Sequence, residues 1–174
     1  MTIFFTADEH YNNKEIIKYC NRGVNNKNEM NQMLISRHNS VVRNKSDIVY
    51  HVGDFTFDEG KGCICEIMKQ LNGTHILILG NHDKLNPFEY IDAGFQSVHT
   101  SLQVTVGKQK MLLAHDPSIW TVVWPNTTIF ICGHIHKLFK SIPDRLAVNV
   151  GVDVWDYTPV SLTQIFSLLG LSVE

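Results

Sequence analysis

Seven side chains of metal-ligand type fall into five short clusters: Asp8 with His10, Asp54, Asn81, His115, and His134 with His136. In Asp8-Glu9-His10 the i, i+2 spacing on an extended segment aims the carboxylate and the imidazole to the same side, as a chelate requires. His134-Ile135-His136 repeats that spacing with two imidazoles. Gly53 lets the chain turn before Asp54 and leaves the carboxylate uncovered. Its two oxygens could bridge two cations. Asn81 adds a neutral oxygen, His82 beside it a proton donor, and His115 completes the set. Nitrogen and oxygen ligands without thiolate suit Mn²⁺, Fe or Zn²⁺ rather than Ca²⁺ or a soft metal. The ligands outnumber what one ion takes from a protein. Two ions ~3.5–4 Å apart could activate a bridging water, orient an ester and neutralise charge at the attacked centre. Phosphate esters gain most from such a clamp.

These side chains need a scaffold that brings them to one place. Residues 3–5, 48–52, 75–79, 110–114 and 128–132 read as apolar strands, and each stops at or just before one of the clusters. In open α/β sheets, ligands collect outside the carboxyl ends of strands. Five strands delivering ligand types to one kind of position define a single site. Residues 28–42 read as an amphipathic helix, and 63–71 as a second one ended by Asn72-Gly73. From about residue 95 the pattern turns to consecutive strands: 97–106, then 146–150, with 161–168 closing the chain as a strand. The expected architecture is a mixed α/β, four-layer αββα sandwich of two mixed β-sheets flanked by helices, forming one domain over 1–174.

Composition agrees with a globular protein. Hydrophobic residues make up 44% and charged residues 18% of 174 residues, enough to bury a core. The net charge of -2 provides no basic field, which disfavours extended duplex nucleic acid as a partner. Cys20, Cys63, Cys65 and Cys132 match neither a zinc motif nor a disulfide framework. The N-terminus reaches acidic residues too soon for a signal peptide, and no apolar run approaches ~18 residues, so a cytoplasmic protein without membrane contact is expected.

The ordered series D-x-H, G-D, G-N-H-D, H and G-H-x-H resembles the calcineurin-like metallophosphoesterase superfamily, in particular its small bacterial and phage members with a Tyr-Cys-Asn-Arg segment. Here the series is Asp8/His10, Gly53-Asp54, Gly80-Asn81-His82-Asp83, His115 and Gly133-His134-Ile135-His136, with Tyr19-Cys20-Asn21-Arg22 near the start. The resemblance implies two divalent ions (Mn, Fe, Zn or Ni, with Mn the expected assay metal). Asp8, His10 and His136 would hold one ion, Asn81, His115 and His134 the other, and Asp54 would bridge them. A hydroxide between the ions would attack phosphorus in line. His82 would protonate the leaving oxygen, with Asp83 orienting it.

Many relatives place an arginine soon after G-D, where this chain has Phe55-Thr56-Phe57-Asp58. That departure favours a phosphodiester over a monoester, and makes Arg22 and Arg37 the first candidates for substrate contact, alongside Asn81 and His82. The expected substrate is a small-molecule or nucleotide phosphoester. Asn149, Trp120, Trp124, Trp155 and Tyr157 read as core or rim, the last two in a loop that could frame a nucleotide. His51 reads as structural, and His38, His75 and His99 as surface or satisfied core residues. Two competing functions are a phosphomonoesterase and a non-catalytic scaffold on the same fold. A single-zinc hydrolase would leave too many ligands unused.

Overall fold

The computed structural model describes residues 1–57, 60–118 and 128–171. In chain order the elements are β1 (Ile3–Thr6), α1 (Glu15–Tyr19), α2 (Lys27–Val41), β2 (Ile48–Val52), α3 (Lys61–Met68), β3 (Thr74–Ile78), α4 (Pro87–Ala93) and β4 (Ser97–His99). There follow β5 (Leu102–Val106), β6 (Gln109–Leu113), β7 (Thr128–Cys132), β8 (Ser141–Ile142), β9 (Ala147–Asn149), β10 (Val160–Ser161) and α5 (Leu162–Leu168).

Two mixed five-stranded sheets form, ordered β10-β1-β2-β3-β4 and β5-β6-β7-β9-β8. In the first, β1 to β4 run parallel, with Phe5 opposite Tyr50 and Tyr50 opposite Ile76. In the second, β6, β7 and β9 are parallel to one another. Parallel strands share one carboxyl edge, so the loops after β1, β2 and β3 lie together, as do those after β6, β7 and β9. A parallel bridge between Ala7 and Gly151 joins the two sets of loops.

The packing explains the near-continuous apolar strands. Phe5, Val52, Ile78, Leu113, Ile131 and Val148 meet between the sheets, joined by Ile165 and Phe166 of α5. The opposite face of the first sheet packs Phe55, Leu77 and Phe95 against Leu34 of α2, Ile64 of α3 and Tyr90 of α4.

Two element expectations change, and α1, α4 and β8 are additions to the expected set. Residues 162–168 form a helix rather than a strand, and Ser161 ends β10 and caps that helix. Ser161 Oγ accepts from the Gln164 amide and Gln164 Oε1 accepts from the Ser161 amide, a capping box that outweighs β-type composition. The stretch 97–106 divides into two strands that belong to different sheets. α4 was absent from the sequence reading, although Asn86-Pro87-Phe88-Glu89 carries both its capping box and its N-terminal proline. Among the described residues, no helix is long and apolar enough to cross a membrane.

Candidate metal centre

All five loops meet at the shared carboxyl edge. Asp8, His10 and His136 bring ligand atoms within 4.8 Å of one another, as do Asp54, His115 and His134. Asp54 Oδ2 lies between the groups, 3.5 Å from His10 Nε2 and 3.2 Å from His115 Nε2. Asn81 Oδ1 stands 3.1 Å from His115 Nε2. His115 Nδ1 donates to the Val52 carbonyl at 2.8 Å, which turns Nε2 toward the cluster. The His134 amide donates to both Asp8 oxygens at 3.0 and 2.9 Å, tying the first and last loops together.

The backbone departs from the extended path expected for the i, i+2 pairs. Asp8 (φ 59°), His10 (φ 51°), His134 (φ 72°) and His136 (φ 45°) all adopt the left-handed region, and so does Asp54 (φ 57°). Five of the candidate ligands thus hold a conformation costing of order 1–3 kcal/mol each, which persists only where surrounding contacts impose it. Left-handed turns, not strand alternation, aim these pairs.

Two glycines permit the crowding. A Cβ on Gly53 (φ +89°) would sit 2.3 Å from His115 Nδ1, and one on Gly80 would sit 2.2 Å from Asp54 Oδ1. Asp83 is buried, and its carboxylate accepts from the amides of Gly80, Asp54 and Phe55 at 2.8, 2.8 and 3.1 Å. It thereby fixes the loops carrying Asp54 and Asn81. The His82 amide donates to Asp54 Oδ1 at 2.8 Å, and its half-buried ring stands against His10 and Phe57, each with centroids 5.3 Å away.

Burial pushes Asp8 up to about 7 and takes His10 down to about 3. Burial would also raise Asp54, but the bond and charge of His115 hold it down at about 2. Against burial, the Asp54 bond and the charges of Asp8 and Asp54 lift His115 to about 9, and the bond to Asp153 lifts His136 to about 10. Protons on these imidazoles supply the positive charge that a cation would replace. Both ring nitrogens of His10 are buried with no hydrogen-bond partner. Buried polar atoms are almost always satisfied, so the donor set fits a metal.

Arg22 does not reach the cleft. It is buried, Nε and Nη2 donate to the two oxygens of Asp153 at 3.0 Å each, and Nη1 and Nη2 donate to the Glu9 and Asp8 carbonyls at 2.7 Å each. Of the residues expected at the substrate, Arg22 is thus placed in this buried network. Arg37 is exposed and paired with Asp156 at 3.0 Å. Asp153, which the sequence reading left out, also faces His136 Nδ1 at 3.1 Å. Cys20, His136 and Asp153 form a third ligand-type group, but the guanidinium already lies on that carboxylate. Asn149 is a bracket: its amide donates to the His136 and Phe139 carbonyls, and Oδ1 accepts from Gly151. Trp155 donates to the Asn149 carbonyl, whereas Trp120 and Trp124 lie outside the described residues.

Glu9 points away from the ligands. His51 Nδ1 faces its Oε1 at 2.7 Å, His51 Nε2 faces His75 Nδ1 at 3.0 Å, and His38 stacks on His51. Burial, followed by the charge of His51, holds His38 down at about 4 and His75 at about 2. A histidine whose folded pKa lies below its unfolded value of 6.5 contributes stability that is complete above that value. That stability is lost as pH falls toward 4. At pH ~5 the loss is about 2 kcal/mol for such a group. His38→Gln is therefore expected to lose about that much less stability than the native chain between pH ~7.5 and ~5, read from urea midpoints. Equal losses would contradict a neutral buried His38.

A sandwich of two mixed sheets with histidines and carboxylates gathered at its strand ends defines a class of phosphoester-cleaving proteins, and direct comparison agrees. Residues 1–161 match the calcineurin-like phosphoesterase superfamily domain, and the chain belongs to that superfamily. The superfamily is metal-dependent, and the clusters above are candidate ligand sets. The uncharacterized protein MJ1445 of Methanocaldococcus jannaschii is 37% identical over 173 residues, covering 96% of this chain and 90% of its own. A protein of unknown function from Aquifex aeolicus has a similar structure, with a TM-score of 0.76 at 25% identity, covering 96% of this chain and 98% of that one. An archaeal phosphodiesterase shares the fold at a TM-score of 0.51 and 20% identity, over 87% of this chain and 84% of that one.

Proposed function

We propose that the chain hydrolyses phosphodiesters at a centre of two divalent ions. One observation carries this reading: Asp54 Oδ2 lies between two ligand groups, near a nitrogen of His10 on one side and of His115 on the other. Asp8, His10 and His136 would hold one ion, Asn81, His115 and His134 the second, and Asp54 both. When bound, the ions would supply Lewis acidity and a water of lowered pKa. The chain does the rest. The Val52 carbonyl holds the His115 ring in register, and Asp83 locks the loop that presents Asn81. His82, anchored through its amide to Asp54, carries its ring at the cleft, where it would give a proton to the departing oxygen.

The cleft supports a diester. It has a volume of about 410 Å³, and no Arg or Lys stands among its described lining residues. A monoester dianion brings one more negative charge than a diester, and no guanidinium or ammonium among the described lining residues stands to meet it. Tyr19, 78% exposed, and Phe57, 49% exposed, place aromatic rings beside His136 and His82. They offer apolar surface to the organic groups that a diester carries on both sides.

With Mn²⁺ added, kcat/KM for bis-p-nitrophenyl phosphate is expected to exceed that for p-nitrophenyl phosphate by about tenfold or more, equivalent to ~1.4 kcal/mol. Faster turnover of the monoester would contradict the diester reading.

A further inference from the structure

We propose that Arg22 and Asp153 are positioning residues of the metal centre: Asp153 fixes the His136 ring with Nε2 free for the ion, and Arg22 locks Asp153 and the Asp8-Glu9 backbone into one frame. The inference rests on the metal-binding reading above and adds two residues to it.

The Asp153 side chain is fully buried, as is that of Arg22. Asp153 stands in a 3-10 turn, Val152–Val154, just after the Ala7–Gly151 bridge. Its Oδ2 is shared between Arg22 Nη2 at 3.0 Å and His136 Nδ1 at 3.1 Å. An imidazole that binds a metal through one nitrogen carries its proton on the other, and a carboxylate behind it sets both tautomer and ring angle. A carboxylate alone could swing. The planar guanidinium fork holds both oxygens of Asp153 and leaves it one orientation.

The other side of Arg22 matters equally. Its bonds to the Asp8 and Glu9 carbonyls, 2.7 Å each, fall on the segment where Asp8 and His10 are forced into the left-handed region. Left-handed backbone at such residues persists only under external restraint, and these two bonds provide it. One side chain therefore braces the Asp8/His10 turn and, through Asp153, the His136 turn 126 residues away. Stability alone does not account for the pair, because a buried ion pair is often no better than apolar residues of the same volume. A lysine could not replace it, since one ammonium cannot hold both carboxylate oxygens and two carbonyls in a plane.

The test is calorimetric titration of the metal-free full chain with Mn²⁺. The native chain is expected to bind two ions. Asp153→Asn keeps the shape but presents no second acceptor to both partners. It is expected to weaken one ion by ~10–100-fold and the other by less than about threefold. Arg22→Lys should change affinities in the same direction. Two ions bound with native affinity by folded Asp153→Asn would overturn this inference and leave the metal reading intact. A native chain that binds no ion would overturn both. Should neither variant fold, the native chain decides. In its Zn²⁺-loaded form, long-range ¹H–¹⁵N correlation must show the His136 Nδ1 proton bonded and slowly exchanging. A His136 Nδ1 proton exchanging as fast as that of a free imidazole would contradict the brace.

Discussion

Replacing His82 with alanine is expected to lower diester turnover by about 10²-fold or more while leaving bound metal unaltered. The separation of the two effects follows from how the residue is held. Its contact with the metal cluster runs through the backbone amide, 2.8 Å from Asp54 Oδ1, and a backbone bond survives truncation of the ring. The ring bonds to nothing in the cluster and stands between His10 and Phe57 at the cleft. On the proposed reading its contribution would be a proton for the leaving oxygen. The loss should grow with the basicity of that oxygen, because p-nitrophenolate departs with little help and an alkoxide does not. Equal losses for a p-nitrophenyl and an alkyl leaving group would remove His82 from proton transfer and leave it a binding role.

Much of the site was legible because it obeys a positional rule. Apolar runs ending at Thr6, Val52, Ile78, Leu113 and Cys132 are each followed within a few residues by Asp8, Asp54, Asn81, His115 or His134. Parallel strands then make sequence position into spatial proximity. What stayed hidden depends on geometry that residue type does not encode. Asp and His are enriched several-fold at φ > 0, but such backbone is so rare overall that D-E-H or H-I-H alone does not announce left-handed turns. Arg22 is hard to place from sequence, because an arginine near a phosphate site looks like a ligand for phosphate. Its true partner, Asp153, lies 131 residues along the chain and outside every motif. The tight cluster of His38, His51 and His75 was equally invisible, since each sits on a different element with no local signature. At Ser161 two local signals compete: Ser-x-x-Gln reads as a helix start, and the β-type composition around it reads as a strand.

Removing metal is expected to cost more than any single side chain. Without cations, His115 and His136 keep protons through the neutral range, and Asp8 is largely uncharged at pH values below about 7. The positive charge of the cluster then comes only from its own protons, His10 is left without a partner, and no water is activated. Several kcal/mol of stabilisation of the attacked centre disappear with the ions, about 10³-fold or more in rate. Refilling should restore both the charge and the activity, and should release protons, because His115 and His136 must give up the hydrogens on their ligand nitrogens. The measurement that bears most directly on this account is back-titration of the EDTA-treated chain with Mn²⁺, following hydrolysis of bis-p-nitrophenyl phosphate and bound metal on the same sample. The account predicts no turnover at zero metal and a rise that levels off only when two ions are bound per chain. Turnover that survives EDTA, or that is complete with a single ion bound, would contradict it.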